Sequence, residues 1–87
     1  MAILQKTLEM RGMPRTDLIN YFISLHGKNI GSGKIAGENW EVEVREERLV
    51  AIGSLNIPST IVIFRCDEEF MEPMISAFRL KFLSAGG

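Results

Sequence analysis

The sequence has one cysteine, one histidine and no two basic residues side by side. A single cysteine excludes an intramolecular disulfide framework and fits a reducing compartment. One histidine with one cysteine supplies too few ligands for a zinc site, so neither a metal nor a cofactor is expected. Ten Lys and Arg stand against eleven Asp and Glu, a net charge of -1. The chain therefore lacks the cationic excess with which nucleic acids and anionic membranes are usually met. No apolar run approaches the roughly eighteen residues of a membrane span. The start, Met1-Ala2-Ile3-Leu4-Gln5-Lys6, lacks the basic segment and long apolar stretch of a signal peptide. No nucleophile, base and oxyanion-donor set is recognisable, so nothing marks an enzyme. The expectation is a soluble, cytoplasmic protein with no nucleic-acid or membrane partner.

What is present is apolar: 46 % of 87 residues. That length allows one domain, residues 1–87, with a modest core and a thin stability margin. The densest stretch is Thr60 to Cys66. Ile61 to Phe64 are consecutive β-branched or aromatic residues without Gly or Pro, and they read as a central strand apolar on both faces.

Upstream, Leu4, Leu8 and Met10 share one parity of a strand over Ile3 to Arg11, which Gly12-Met13-Pro14 breaks. Leu18, Ile19, Phe22, Ile23 and Leu25 then follow helical spacing from Thr16 or Asp17 to His26, with Pro14 near the start and Gly27 as a left-handed stop. Lys28 to Ala36 reads as a strand thinned by Gly31 and Gly33. Gly37-Glu38 suits a hairpin turn. Trp40, Val42 and Val44 alternate inward against Glu41 and Glu43, and Glu46-Glu47 makes a charged turn. Leu49 to Ile52 forms another strand, and Leu55 to Ser59 reads as a loop. Phe70, Met71, Met74, Ile75, Phe78 and Phe82 form a final helical stripe. Asp67 is its candidate cap, and Pro73 leaves open whether the helix begins near Glu68 or near Pro73.

The fold class is α+β, β-α-β-β-β-β-α, an antiparallel sheet with two helices on one face. On the central strand, Ile61, Ile63 and Arg65 then share the helix-free face. An uncovered pair of isoleucines in so small a domain points to a homodimer or a protein partner; the plainer reading folds the Leu55 to Ser59 loop over it.

Other motifs have plainer explanations. Gly27 to Lys34 looks like a phosphate loop, but five residues rather than four separate its first Gly from Gly33-Lys34, and Ile35 replaces the required Ser or Thr. His26 suits a helix C-terminus. Cys66, between a strand end and a helix start, is a candidate reactive thiol, although Asp67, Glu68 and Glu69 would repel a thiolate and a buried core role is simpler. The final Gly86-Gly87 could serve a ubiquitin-like sulfur carrier, whose unbranched tail presents a carboxylate for adenylation and thiocarboxylate formation. A helix-capping glycine is the alternative, and the carrier fold has a strand where this chain predicts a helix.

The order of elements is similar to the half-repeat of the TATA-box-binding-protein-like architecture. More narrowly, Pro14 to Phe22, the Trp40 to Val44 strand and Ile61 to Asp67 leading into the last helix resemble one particular small domain. It lies C-terminal to the sulfur-carrier subunit in proteins related to the molybdopterin synthase small subunit, and here it stands alone. The resemblance implies an accessory role beside molybdenum or tungsten cofactor assembly and brings no catalytic residues with it. DNA binding does not follow from the broader architecture. The leading expectation is a non-catalytic binding or accessory domain using Ile61, Ile63 and Arg65. A sulfur carrier using Gly86 and Gly87 is the alternative. A small-ligand pocket between the last helix and the sheet is a third, its ligand unknown.

Overall fold

The computed structural model describes residues 2–83. In chain order they form β1 (Ile3–Arg11), α1 (Arg15–Ser24), β2 (Lys28–Gly31), β3 (Lys34–Ala36), β4 (Trp40–Val44), β5 (Arg48–Ile52), β6 (Leu55–Asp67) and α2 (Glu68–Leu83). The expected α+β class holds. The strands make one antiparallel sheet of order β1-β6-β4-β3-β2, with β5 also paired to β6.

Three details differ from the sequence reading. Lys28 to Ala36 is a hairpin, so the sheet has six strands among the described residues. Its glycines serve the turn: Ser32 and Gly33 both take positive φ, 54° and 77°, as a tight two-residue hairpin loop requires. Second, Leu55 to Ser59 is not a loop but the first part of a 13-residue strand. Pro58 fits there because its carbonyl accepts from Gly12 N–H at 2.8 Å on the β1 side. A residue's N and C=O point to the same side of a strand, so the missing N–H faces away from β5 and the β5–β6 ladder loses nothing. Third, β4 and β5 do not pair with each other. β6 is long enough for both, β4 taking Val62 to Cys66 and β5 taking Leu55 to Ser59 on the same edge.

Both helices cover one face. From α2, Met71, Ile75, Phe78 and Phe82 descend onto Val62, Phe64 and Cys66 of β6. From α1, Leu18 and Phe22 meet Ile35, Val42 and Val44. Phe22 stacks on Phe78 at 5.5 Å and meets the edge of Phe64 at 5.7 Å, so rings from both helices and the central strand interlock. Helix α2 begins at Glu68 and continues through Pro73, with Glu68 and Glu69 in its first turn. Asp67 stays in β6 opposite Ile3, and the Glu68 N–H donates to the Ala2 carbonyl at 2.9 Å.

Helix α1 is capped from a distance. Pro14 at its N-cap offers no side-chain acceptor, and the Glu47 carboxylate accepts from the Arg15 N–H at 2.8 Å instead. The Arg15 guanidinium donates to the Arg45 and Val44 carbonyls at 3.0 and 3.1 Å, so the β4–β5 connection and the start of α1 hold each other. At the other end His26, not Gly27, takes the left-handed conformation, φ 69°. Its N–H donates to the Ile23 carbonyl at 3.0 Å, so the backbone of His26 closes the helix.

Candidate functional site

Strand parity divides β6 into two rows. Thr60, Val62, Phe64 and Cys66 are buried beneath the helices. Ile61 and Ile63 lie half-buried and Arg65 exposed on the opposite side. The structure thus brings the three residues together in one row of one face. Ile61 stands opposite Glu9 on β1, and Ile63 stands between Thr7 on β1 and Glu43 on β4.

Polar neighbours line this row without covering it. Arg65 donates to the Gln5 side-chain oxygen at 2.7 Å and lies 3.9 Å from the Glu41 carboxylate, spanning from β1 to β4. Glu9 accepts from Ser59 Oγ at 2.7 Å and from Arg11 Nε at 3.2 Å. Those two hydrogen bonds, Ser59 first, hold its carboxyl below the usual value. Glu43 pairs with Arg45 at 3.8 Å. Exposed pairs of this kind are screened by water and add little stability. Their role here is to orient charged groups at the margin and leave an aliphatic stripe between them.

The stripe extends onto the β5–β6 hairpin. Val50 faces Ile57 and Ile52 faces Leu55 across the ladder, and all four share the parity of Ile61 and Ile63. Leu55 is 63 % and Ile52 42 % exposed, so this arm presents aliphatic side chains to solvent. The sequence reading missed these residues. The signal was the alternation Leu55, Ile57, Ser59, Ile61, Ile63, which Pro58 concealed. Where β4 ends and β5 begins, a cleft of about 740 Å³ opens beside Ile61, with Glu9, Glu43 and Glu46 facing Arg15, Arg45 and Arg48 on its walls.

The remaining candidates lie elsewhere. Cys66 is 3 % exposed in the helix-covered row. Burial, and then the charge of Asp67, push its thiol above the ordinary value, so at neutral pH it stays protonated and shielded. Gly86 and Gly87 lie outside the described residues. The space between α2 and the sheet, expected to hold a ligand, is filled by Phe64, Phe78 and Phe82, with ring centroids 5.0–5.1 Å apart in successive pairs. Gly31 and Gly33, expected to thin a single strand, instead end β2 and form the β2–β3 turn. Among the described residues no cluster of three or more His, Cys, Asp or Glu could hold a metal, and no helix is long and apolar enough to cross a membrane.

The family model described as archaeal MoaD-like protein matches residues 6–87, nearly the whole chain. The chain belongs to that family. This agrees with the resemblance to proteins related to the molybdopterin synthase small subunit. No curated protein matches the chain. The family match spans all the residues that carried the resemblance: Pro14 to Phe22, Trp40 to Val44, and Ile61 to Asp67.

Proposed function

We propose that residues 1–87 act as a single non-catalytic accessory domain in cytoplasmic molybdenum or tungsten cofactor assembly, docking a protein partner on the helix-free sheet face. One observation carries this reading. The row Ile61, Ile63 and Arg65 shares one sheet face with the apolar arm of Ile52, Leu55 and Ile57, the two joined through Ser59, and neither Ile61 nor Ile63 belongs to the helix-covered core. Family membership supports the link to molybdopterin assembly. A face with an aliphatic centre and paired charges at its margin suits a protein surface, where desolvated apolar contacts give affinity and rim charges give orientation.

The test is calorimetric titration of the chain against the large subunit of molybdopterin synthase. Wild type is expected to bind. Ile63→Glu, which buries a carboxylate at the centre of the contact, is expected to weaken binding about 30-fold or more, as loss of a central anchor does. Its circular dichroism should be unchanged, because Ile63 is not part of the helix-covered core. Equal affinity of the two proteins, or no binding by wild type, would remove the reading.

A second reading, the sulfur carrier, is favoured by the extension of the family match through Gly86 and Gly87. Against it stands α2, a helix through Leu83 where the carrier fold has a strand before its tail. In this reading the Gly87 carboxylate is adenylated and then converted to a thiocarboxylate, replacing one oxygen by sulfur. Mass spectrometry after incubation of the chain ending at Gly87 with an adenylating enzyme, ATP and a sulfur donor would show a gain of about 16 Da, the difference between sulfur and oxygen, and an unchanged mass would exclude it.

A further inference from the structure

The sheet ends in two strands of different character. At one side β2 is a four-residue strand ending in Gly31, with a register shift between Asn29 and Gly31. Short, bulged edges of this kind resist addition of a further strand. At the other side β1 is nine residues long and pairs with β6 in unbroken register from Ile3↔Asp67 to Arg11↔Ser59. No described strand pairs with its outer edge. Ile3 and Leu4 on that edge are 66 % and 40 % exposed. A long, regular, unprotected edge is a template for pairing. The one charge that could block it from the helix side, Lys6, is drawn towards Glu72 on α2 at 3.8 Å.

We propose that the β1 edge pairs antiparallel with β1 of a second copy of this chain, joining two sheets across a two-fold axis at Thr7. In that register the edge meets itself without opposed like charges and sets Leu4 against Met10. Ile3 faces Arg11, Leu4 faces Met10, Gln5 faces Glu9, Lys6 faces Leu8, and Thr7 faces its own copy. All nine residues of the strand are used, and no like charges stand opposite one another. Moving the axis to Lys6 would oppose two ammonium groups. Residue numbers facing each other keep the same parity, so the helices of both copies stay on one side and the helix-free faces join into one surface. An axis between two residues would set side chains pointing to opposite faces across from one another, which the pleat does not allow. A second copy is the occupant that fits because an isologous contact must tolerate the edge facing itself, and in this register no position meets a like charge. The inference is independent of the docking partner proposed above, since it uses the edge of the sheet and not its face.

Sedimentation velocity of the full chain across a wide concentration range tests it. Wild type is expected to pass from monomer to dimer. Thr7→Lys and Thr7→Glu, each placing two like charges on the axis, are expected to weaken association about tenfold or more with unchanged circular dichroism. An equimolar mixture of the two variants should restore the dimer, because opposite charges then meet at the axis. A concentration-independent monomer would overturn the proposal. So would a dimer that neither variant weakens, or a mixture that fails to restore it. A dimer lost in Ile63→Glu but retained in both Thr7 variants would place the contact on the sheet face and likewise overturn the edge pairing.

Discussion

Phe78→Ala is expected to abolish cooperative unfolding or to lower the urea midpoint by about 3 M. The Phe78 ring is fully buried and lies at the crossing of the two helices and the central strand. It stacks on Phe22 at 5.5 Å, meets Phe64 at 5.1 Å and Phe82 at 5.0 Å, and presents an edge to Tyr21 at 5.7 Å. Removing a buried aromatic ring typically costs about 3–5 kcal/mol, because the cavity collapses only in part. A small domain has about 5–15 kcal/mol in total, and 87 residues lie toward the lower end. With a urea slope of about 1 kcal/mol per molar, the midpoint shift follows. Phe70→Ala on the same helix is the control. Phe70 is 41 % exposed and outside the core cluster, so its removal should cost under about 1 kcal/mol. If urea denaturation followed by circular dichroism gave the two variants equal midpoints, the packing of α2 described above would be wrong.

How far the sequence reveals this arrangement depends on the range of the interaction that decides each feature. The central strand was legible because Ile61 to Phe64 leave no polar position for a solvent face. Its parity alone separated Ile61, Ile63 and Arg65 from Val62 and Phe64. Most of the stripe of α2 was legible from spacing, but Phe70, expected in it, is exposed, and the tolerance of Pro73 inside the helix was not legible. The β2–β3 hairpin was hidden because its turn places Ser32, an ordinary L residue, at positive φ, and nothing local announces that. The pairing of β4 with β6 was hidden because sequence neighbours are the default partners of antiparallel strands, whereas a 13-residue β6 accommodates two shorter strands along one edge. Capping of α1 by Glu47 joins residues 32 positions apart, beyond any local signature. For the candidate site, the centre of the face could be read and its extension along the arm could not. Pro58 looks like a strand breaker until its nitrogen is seen to face away from β5.

Gly27→Ala is expected to destabilise the fold by about 3 kcal/mol, at the upper end of the cost of overpacking, and to change the emission of Trp40, the only tryptophan. The sequence suggested a glycine needed for left-handed backbone, but that conformation belongs to His26. Gly27 is needed for space. It is buried, and its N–H donates to the Phe22 carbonyl at 3.1 Å. A Cβ there would lie 2.6 Å from Ile35 Cγ2, 2.6 Å from Trp40 Cη2 and 2.8 Å from the Phe22 carbonyl oxygen. None of these can retreat freely: Ile35 is fully buried, Trp40 packs on Phe22 at 5.8 Å, and the third is backbone. Gly53→Ala separates the two roles of glycine. Gly53 has φ 62° with no atom within 4 Å of an added Cβ, so alanine there costs only the left-handed strain of about 1–2 kcal/mol and leaves Trp40 emission unchanged. Urea denaturation followed by tryptophan fluorescence reads both effects at once. A Gly27→Ala protein with wild-type emission and a smaller midpoint loss than Gly53→Ala would mean that α1 does not press its final turn against β3 and β4. The floor beneath Phe22, on which both helices rest, would then have to be redrawn.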